Sequence, residues 1–230
     1  MSAFFRFPHT PHLMWLGPGH PRDDKVLGAQ EVALLLATNV LVEEKIDGAN
    51  LGISIGETGA VRVQNRGSYL AHDSCHPQFK PLFRWLEPRR DALVEALYPN
   101  LMLFGEWCWA VHTVRYTALP DWFLAFDVYD AAFEQFWSVR RRDELVARLG
   151  IALVPQVARG RFDLAGLLRL VGTSCLGDTP AEGLYIRRDD GDHLLARAKL
   201  VRAEFTQAID QHWSKRRLES NQLARGVAWP

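Results

Sequence analysis

The run Glu43-Glu44-Lys45-Ile46-Asp47-Gly48-Ala49-Asn50 sets an amine, a carboxylate, a glycine and an amide in close succession, where the apolar stretch VLVEEKI ends. A lysine amine is a nucleophile only when deprotonated, and desolvation or nearby positive charge lowers its pKa toward that state. Gly48 lets backbone come close to a ligand. Asp47 and Asn50 offer charge and hydrogen bonds to fix that ligand. Taken alone, K-x-D-G is weak. Such common residues fall into the pattern in about one chain in twenty, and an exposed lysine at a strand-to-turn junction has the same signature.

Further short motifs follow: Asn65-Arg66-Gly67, Phe104-Gly105-Glu106, Phe126-Asp127-Val128-Tyr129, Glu182-Gly183-Leu184-Tyr185-Ile186 and Lys199-Leu200-Val201. In this order they resemble the nucleotidyltransferase motifs of the covalent ligase and capping-enzyme superfamily, from about Glu43 to Val201. The chain looks most like the RNA ligase 2 type. Lys45 to Asn50 carries the extra asparagine of that group's K-x-x-G-x-N pattern. The stretch Trp107 to Asp127, with His112, Tyr116 and Leu119-Pro120, resembles small RNA-ligase-like proteins.

The resemblance implies an ATP-dependent RNA ligase. Lys45 attacks the α-phosphate of ATP and holds AMP as a phosphoramide. The AMP passes to an RNA 5′-phosphate, and a 3′-hydroxyl then displaces it. Lys45, Asp47, Glu106, Glu182 and Lys199 form the implied catalytic set. Glu44 meets the adenine edge, Phe126 stacks on its face, and Arg66 with Glu106 brackets the ribose and phosphate. Asp47 and Glu182, helped by Asn50, orient Mg²⁺ or Mn²⁺, since hard cations take oxygen ligands and retain water. The last motif departs from the pattern of two lysines two residues apart. The pair is either Arg197 and Lys199, with Arg197 among the nucleotide contacts, or Lys199 followed by Val201.

Strands and helices must bring these motifs together. VLVEEKI, NLGISIG and AVRVQN read as strands, the last two a hairpin closed at GETGA. LMLFGEWCW and WFLAFDVYD read as central strands, and GLYIRR and HLLARAKL as a pair joined at DDGD. Helices are expected at Ala29–Ala37, Phe79–Leu97, after an N-cap at Ser138, near Asp163–Val171, and from Arg202 with Phe205, Ile209 and Trp213 as its apolar stripe. The result is an α+β fold of mainly antiparallel sheets flanked by helices, an ATP-grasp-like nucleotidyltransferase domain. Expected divisions are 1–39 (N-terminal segment and helix), 40–201 (adenylyltransferase core) and 202–230 (C-terminal helix and tail).

Lys plus Arg and Asp plus Glu are equal at 27 each in 230 residues. With zero net charge, RNA must be held by a local groove. Arg140-Arg141-Arg142, Arg187-Arg188 and Lys215-Arg216-Arg217 are candidates, and solvated faces are the plainer reading. Cys75, Cys108 and Cys175 lack C-x-x-C spacing, which argues against a disulfide framework and fits a reducing cytoplasm. The sequence has no membrane-length apolar run. After Lys199 little chain remains for the OB-fold that DNA ligases and capping enzymes carry, so no C-terminal OB-fold is expected and a helper protein could grip the RNA. Two rivals stand beside the ligase: an adenylyltransferase that does not seal, and a silent nucleotide- or RNA-binding module.

Overall fold

The computed structural model describes residues 4–19, 21, 25–208 and 218–229. Its elements in order are α1 (Ala29–Leu36), β1 (Val40–Lys45), β2 (Ala49–Ile55), β3 (Val61–Gln64), α2 (Lys80–Leu86), α3 (Arg90–Leu97), β4 (Leu101–Trp107), β5 (Phe123–Asp130), β6 (Gln135–Phe136), α4 (Val139–Arg148), β7 (Ala152–Leu153), β8 (Gln156–Gly160), α5 (Leu164–Leu170), β9 (Gly183–Asp190), β10 (His193–Val201) and α6 (Ala203–Ala208). The helix expected over Phe79–Leu97 is broken by a 3-10 turn at Glu87–Arg89, because Pro88 has no N–H to continue the ladder. Ile209, Trp213 and the cluster Lys215–Arg217 lie outside the described residues. Among the described residues no helix is long and apolar enough to cross a membrane.

Two sheets form. The first has the order β10-β9-β1-β8 and the second β3-β2-β4-β5-β6, with β7 parallel to β5 and the other pairings antiparallel. Their outer faces follow from period-two alternation. Val40, Val42, Leu184, Ile186, Ala198 and Leu200 meet Leu35 of α1 and Leu167 of α5 in one core. Ile53, Leu103 and Phe123 meet Leu82 and Trp85 of α2 and Leu93 and Leu97 of α3 in the other. The remaining face of the first sheet turns inward. Glu43 lies opposite Tyr185, Tyr185 opposite Lys199, Lys45 opposite Gly183, and Arg187 opposite Arg197; residues directly opposite in a ladder share a face.

Between the sheets, behind that row, lies a buried charge network. Asp127 accepts from Arg187 and, at 2.7 Å, from Arg197. Arg187 also donates to the carbonyls of Phe126 (3.0 Å) and Trp137 (3.2 Å). Arg142 of α4 donates to the same Phe126 carbonyl at 2.8 Å and has Nη2 2.6 Å from Glu43 Oε1. Arg142 and Arg187 are therefore interior residues and cannot track RNA. Arg140 pairs with Glu144 and Asp192, Arg141 covers the Trp137 ring, and Arg188 binds the Leu34 carbonyl. Replacing Asp127 by asparagine removes the charge facing Arg187 and Arg197. Breaking a buried pair from one side is expected to destabilise by about 3–5 kcal/mol. Urea unfolding of the variant checks this, and an unchanged midpoint would show the network to be neutral.

Both terminal segments are built into the sheets' surroundings. Lys199 N–H donates to the Pro11 carbonyl and the Lys199 carbonyl accepts from Leu13 N–H, at 2.9 and 2.7 Å, so residues 11–13 run beside β10. Residues 219–224 pair with the long connection between β4 and β5 through Val111, Asn221, Leu119 and Ala224 amides.

Candidate active site

Lys45 ends β1 on the inward face and opens into a cleft between the sheets with about 810 Å³ of empty space, its mouth included. Glu44, Asn50, Arg66, Glu106, Phe126, Glu182 and Lys199 line it with Lys45, so seven of the nucleotide-site candidates meet the nucleophile. Lys45 Nζ donates to Glu182 Oε2 at 2.7 Å. Burial pulls the Lys45 pKa down, but the carboxylates of Glu182, Glu106 and Asp47 outweigh it and the net shift is upward. The amine is thus held as ammonium, the reverse of the activation that a phosphoramide-forming lysine needs. Burial pushes Glu106 up to about 8 against the pull of Lys45, with Glu182 and Asp47 adding to the rise. Glu182 is raised too, again chiefly by burial.

Each wall has a local cause. In β4 and β5 the register shifts between Phe104, opposite Asp127, and Gly105, opposite Ala125. Phe126 is the extra residue, and a bulge of this kind re-aims side chains. Phe126 can therefore reach the cleft while its neighbour Asp127 reaches the arginines of the first sheet. Arg66 follows β3 in a turn held by Asn65 Oδ1, which accepts from Gly67 and Ser68 amides at 2.8 Å each. Asn50 faces Glu106 across the β2–β4 ladder.

Two candidates stand apart. Asp47 is not part of the cleft lining with Glu182: its Oδ2 accepts from the Thr113 and Val114 amides at 2.6 and 2.7 Å, and its own N–H donates to Tyr116 Oη at 2.8 Å. Its carboxylate ties a loop, so its expected place at the metal gains no support from this geometry. Arg197 shares the inward face with Lys199 but is spent on Asp127 and lies over the Phe7 and Phe136 rings. Of the two readings of the last motif, Lys199 alone supplies a cation to the cleft. Glu44 lines the cleft, yet its carboxylate accepts from Ser174 Oγ (2.5 Å) and Cys175 N–H (2.7 Å). His112 is buried against Gln78 Oε1 at 3.0 Å, and burial lowers its pKa.

The motif glycines also have a different reason from the expected one. A Cβ on Gly48 would stand 2.7 Å from the Trp107 carbonyl, on Gly105 2.4 Å from the Phe123 ring, and on Gly183 2.0 Å from the Leu200 carbonyl. Protein, not ligand, fills the space each one leaves. Conversely, Glu43, Phe7, Thr10 and Tyr185 were missed by sequence reasoning and line the cleft. Thr10 Oγ1 and Tyr185 Oη are 3.2 Å apart.

The arrangement suits an anionic, planar ligand. Asn50 Oδ1 and Arg66 Nε are buried without a hydrogen-bond partner, whereas the buried Glu43 is held by Arg142, whose Nη2 lies 2.6 Å from Glu43 Oε1. Buried polar atoms are ordinarily satisfied. A nucleotide offers what they lack: amino and hydroxyl donors and phosphate oxygens. Among the described residues no group of three or more His, Cys, Asp or Glu could hold a metal ion.

A family model described as RNA ligase matches residues 38–201. Solved structures of an RNA ligase from Naegleria gruberi share the fold. A mutant with ATP and manganese is 18% identical with a TM-score of 0.58, covering 77% of this chain and 54% of that one. The form with pyrophosphate is 19% identical with a TM-score of 0.60, covering 81% and 55%. A mutant with AMP and manganese is 18% identical with a TM-score of 0.57, covering 91% and 65%. This chain thus spans 54–65% of the length of these structures. No curated protein matches it. The matched span starts just before β1 and ends with β10, taking in both sheets and the Lys45 cleft between them, and on this ground the chain belongs to the RNA ligase family.

Proposed function

We propose that the protein is an ATP-dependent RNA ligase that works through AMP carried on Lys45. The observation behind this reading is the position of Lys45. It is the lysine of K-x-D-G, it ends a strand inside the cleft between the sheets, and it contacts Glu182 while Lys199 lines the same cleft. Phe126 stacks on the base, an interaction worth ~1–3 kcal/mol. Glu43 Oε2, with Oε1 held by Arg142, is an acceptor when ionised that suits the adenine amino group and disfavours the guanine oxo group. Arg66, Asn50 and Lys199 hold ribose and phosphate oxygens. Lys45 Nζ forms a bond to the α-phosphorus as the bond to the β-phosphate oxygen breaks, and pyrophosphate leaves with that electron pair. The proton must first leave Nζ, and Glu182 Oε2 is within hydrogen-bond reach to receive it.

A divalent cation, Mg²⁺ or Mn²⁺, supplies positive charge beside the amine and the phosphates when bound. Glu182 is the proposed carboxylate ligand, with Asp47 a weaker candidate because its Oδ2 is engaged. AMP then passes to an RNA 5′-phosphate, and a 3′-hydroxyl displaces it. A helper protein that grips RNA belongs to this reading, since Arg142 and Arg187 are withdrawn into the interior. Three free cysteines fit a cytoplasmic setting.

The test uses a pre-adenylated donor, which bypasses the first step, and acceptors differing only in whether the terminal nucleotides are ribo or deoxy. The ribose 2′-hydroxyl is what distinguishes RNA from DNA. Joining to ribonucleotide ends is expected to be faster by about tenfold, the value of one lost hydrogen bond of about 1.4 kcal/mol. Equal rates would replace the RNA reading with a general polynucleotide ligase. Absence of joining while AMP still loads onto Lys45 would favour the non-sealing adenylyltransferase.

A further inference from the structure

The buried side chain of Asn221 bonds to the connection between β4 and β5 at three points. Asn221 Oδ1 accepts from Tyr116 N–H at 2.8 Å, and its Nδ2 donates to the carbonyls of Cys108 (2.8 Å) and Ala110 (3.1 Å). The amide is fully used and pins the connection on both sides of residues 111–115. Main-chain bonds add to it: Val111 N–H to the Glu219 carbonyl and Asn221 N–H to the Trp109 carbonyl, both 2.9 Å.

Within the pinned span sit the groups that hold Asp47. Thr113 and Val114 amides take its carboxylate, and Tyr116 Oη takes its N–H. Asp47 is two residues beyond Lys45, in the short link between β1 and β2. Its backbone therefore sets where β1 stops and how the Lys45 side chain enters the cleft. The walls assigned to the nucleotide, Phe126, Arg66 and Lys199, lie outside the pinned span.

We propose that Asn221 is a positioning residue for the nucleophile, acting through Tyr116 on Asp47 and so on Lys45, and that residues 219–224 serve as a strap for the first chemical step. The proposal rests on the reading of Lys45 as the nucleophile. It predicts an effect on reaction rather than on nucleotide binding, because a reacting amine tolerates little misplacement.

Asn221→Ala and Tyr116→Phe, singly and together, test it through AMP loading from ATP. Tyr116→Phe removes one oxygen and keeps the buried ring, so it keeps the test decisive should Asn221→Ala fold poorly. Each single variant is expected to lower kcat for loading by about 10–100-fold, with KM for ATP within about twofold of the parent. The double variant is expected to be little worse than either single, because groups acting through one link are not additive. A Tyr116→Phe protein with parental kcat, or a double variant whose losses multiply, overturns the proposal. Amide hydrogen exchange at Asp47 in Tyr116→Phe gives a readout without chemistry. Should the parent load no AMP, the ligase reading falls, and exchange alone decides: faster exchange supports the tether, unchanged exchange removes it.

Discussion

Lys45→Ala protein given ATP and Mn²⁺ is expected to gain no AMP, where the parent gains the mass of one. The expectation is all-or-none because the new bond is made to Nζ itself. Lys45→Arg is expected to fail equally, since guanidinium stays protonated and cannot attack. Intact mass measurement reads the adduct, and peptide mapping places it. Loading is also expected to accelerate as pH rises. Burial favours the neutral amine, but Glu182, Glu106 and Asp47 prevail and raise the Lys45 pKa, so the reactive fraction grows toward alkaline pH. Undiminished labelling of Lys45→Ala, or an adduct mapped to another lysine, would refute the mechanism.

Glu106→Gln is expected to abolish loading while leaving the fold as stable as the parent or more so. Burial raises the Glu106 pKa to about 8, above its ordinary 4.5. A carboxyl whose folded pKa is raised stabilises the fold fully below the unfolded value, and that contribution is lost as pH rises toward the folded value. The parent should therefore lose stability between about pH 4.5 and about pH 8, by an amount on the order of a few kcal/mol. Glutamine is neutral throughout, so its melting temperature should show less of this decline and should match or exceed the parent's at pH 8 and above. Activity falls because the amide puts an NH2 donor in place of one of the carboxyl oxygens that face the ribose and Lys45. A variant that melts well below the parent at pH 8 would mark Glu106 as a structural residue.

The motif order made the cleft legible: Lys45, Asn50, Arg66, Glu106, Phe126, Glu182 and Lys199 converge although they come from different strands and turns. Local patterns also held unused signals. Glu43 is two residues before Lys45, and period two puts both on one face of a strand. Arg142 stands three and four residues before the buried Leu145 and Val146, which marks the apolar face of α4. Other features could not be read locally. Which side chain pairs with Asp127 depends on the β9–β10 register and on a bulge in β5. Phe7 and Thr10 lie in a segment without periodicity, and they reach the cleft because residues 11–13 run beside β10. The glycines misled for a related reason: their spacing is local, but the atoms that exclude a Cβ belong to other strands.

The Phe126 carbonyl accepts from Arg142 of α4 and from Arg187 of β9, so an edge of the cleft in the second sheet is bound to a strand of the first. Separating the sheets would strip the buried Arg187 of the Phe126 carbonyl and Asp127, and the buried Arg142 of Glu43, a step that the interior resists. The width of the cleft, proposed above to take the base, is thus set by the protein alone. Conformational entropy is lost during folding instead of at each binding event, and less of the binding free energy goes into ordering the walls. Under the proposed ligase reading nucleotide enters and leaves in every cycle, and a pre-ordered slot makes release as undemanding as entry, since neither requires the two sheets to part.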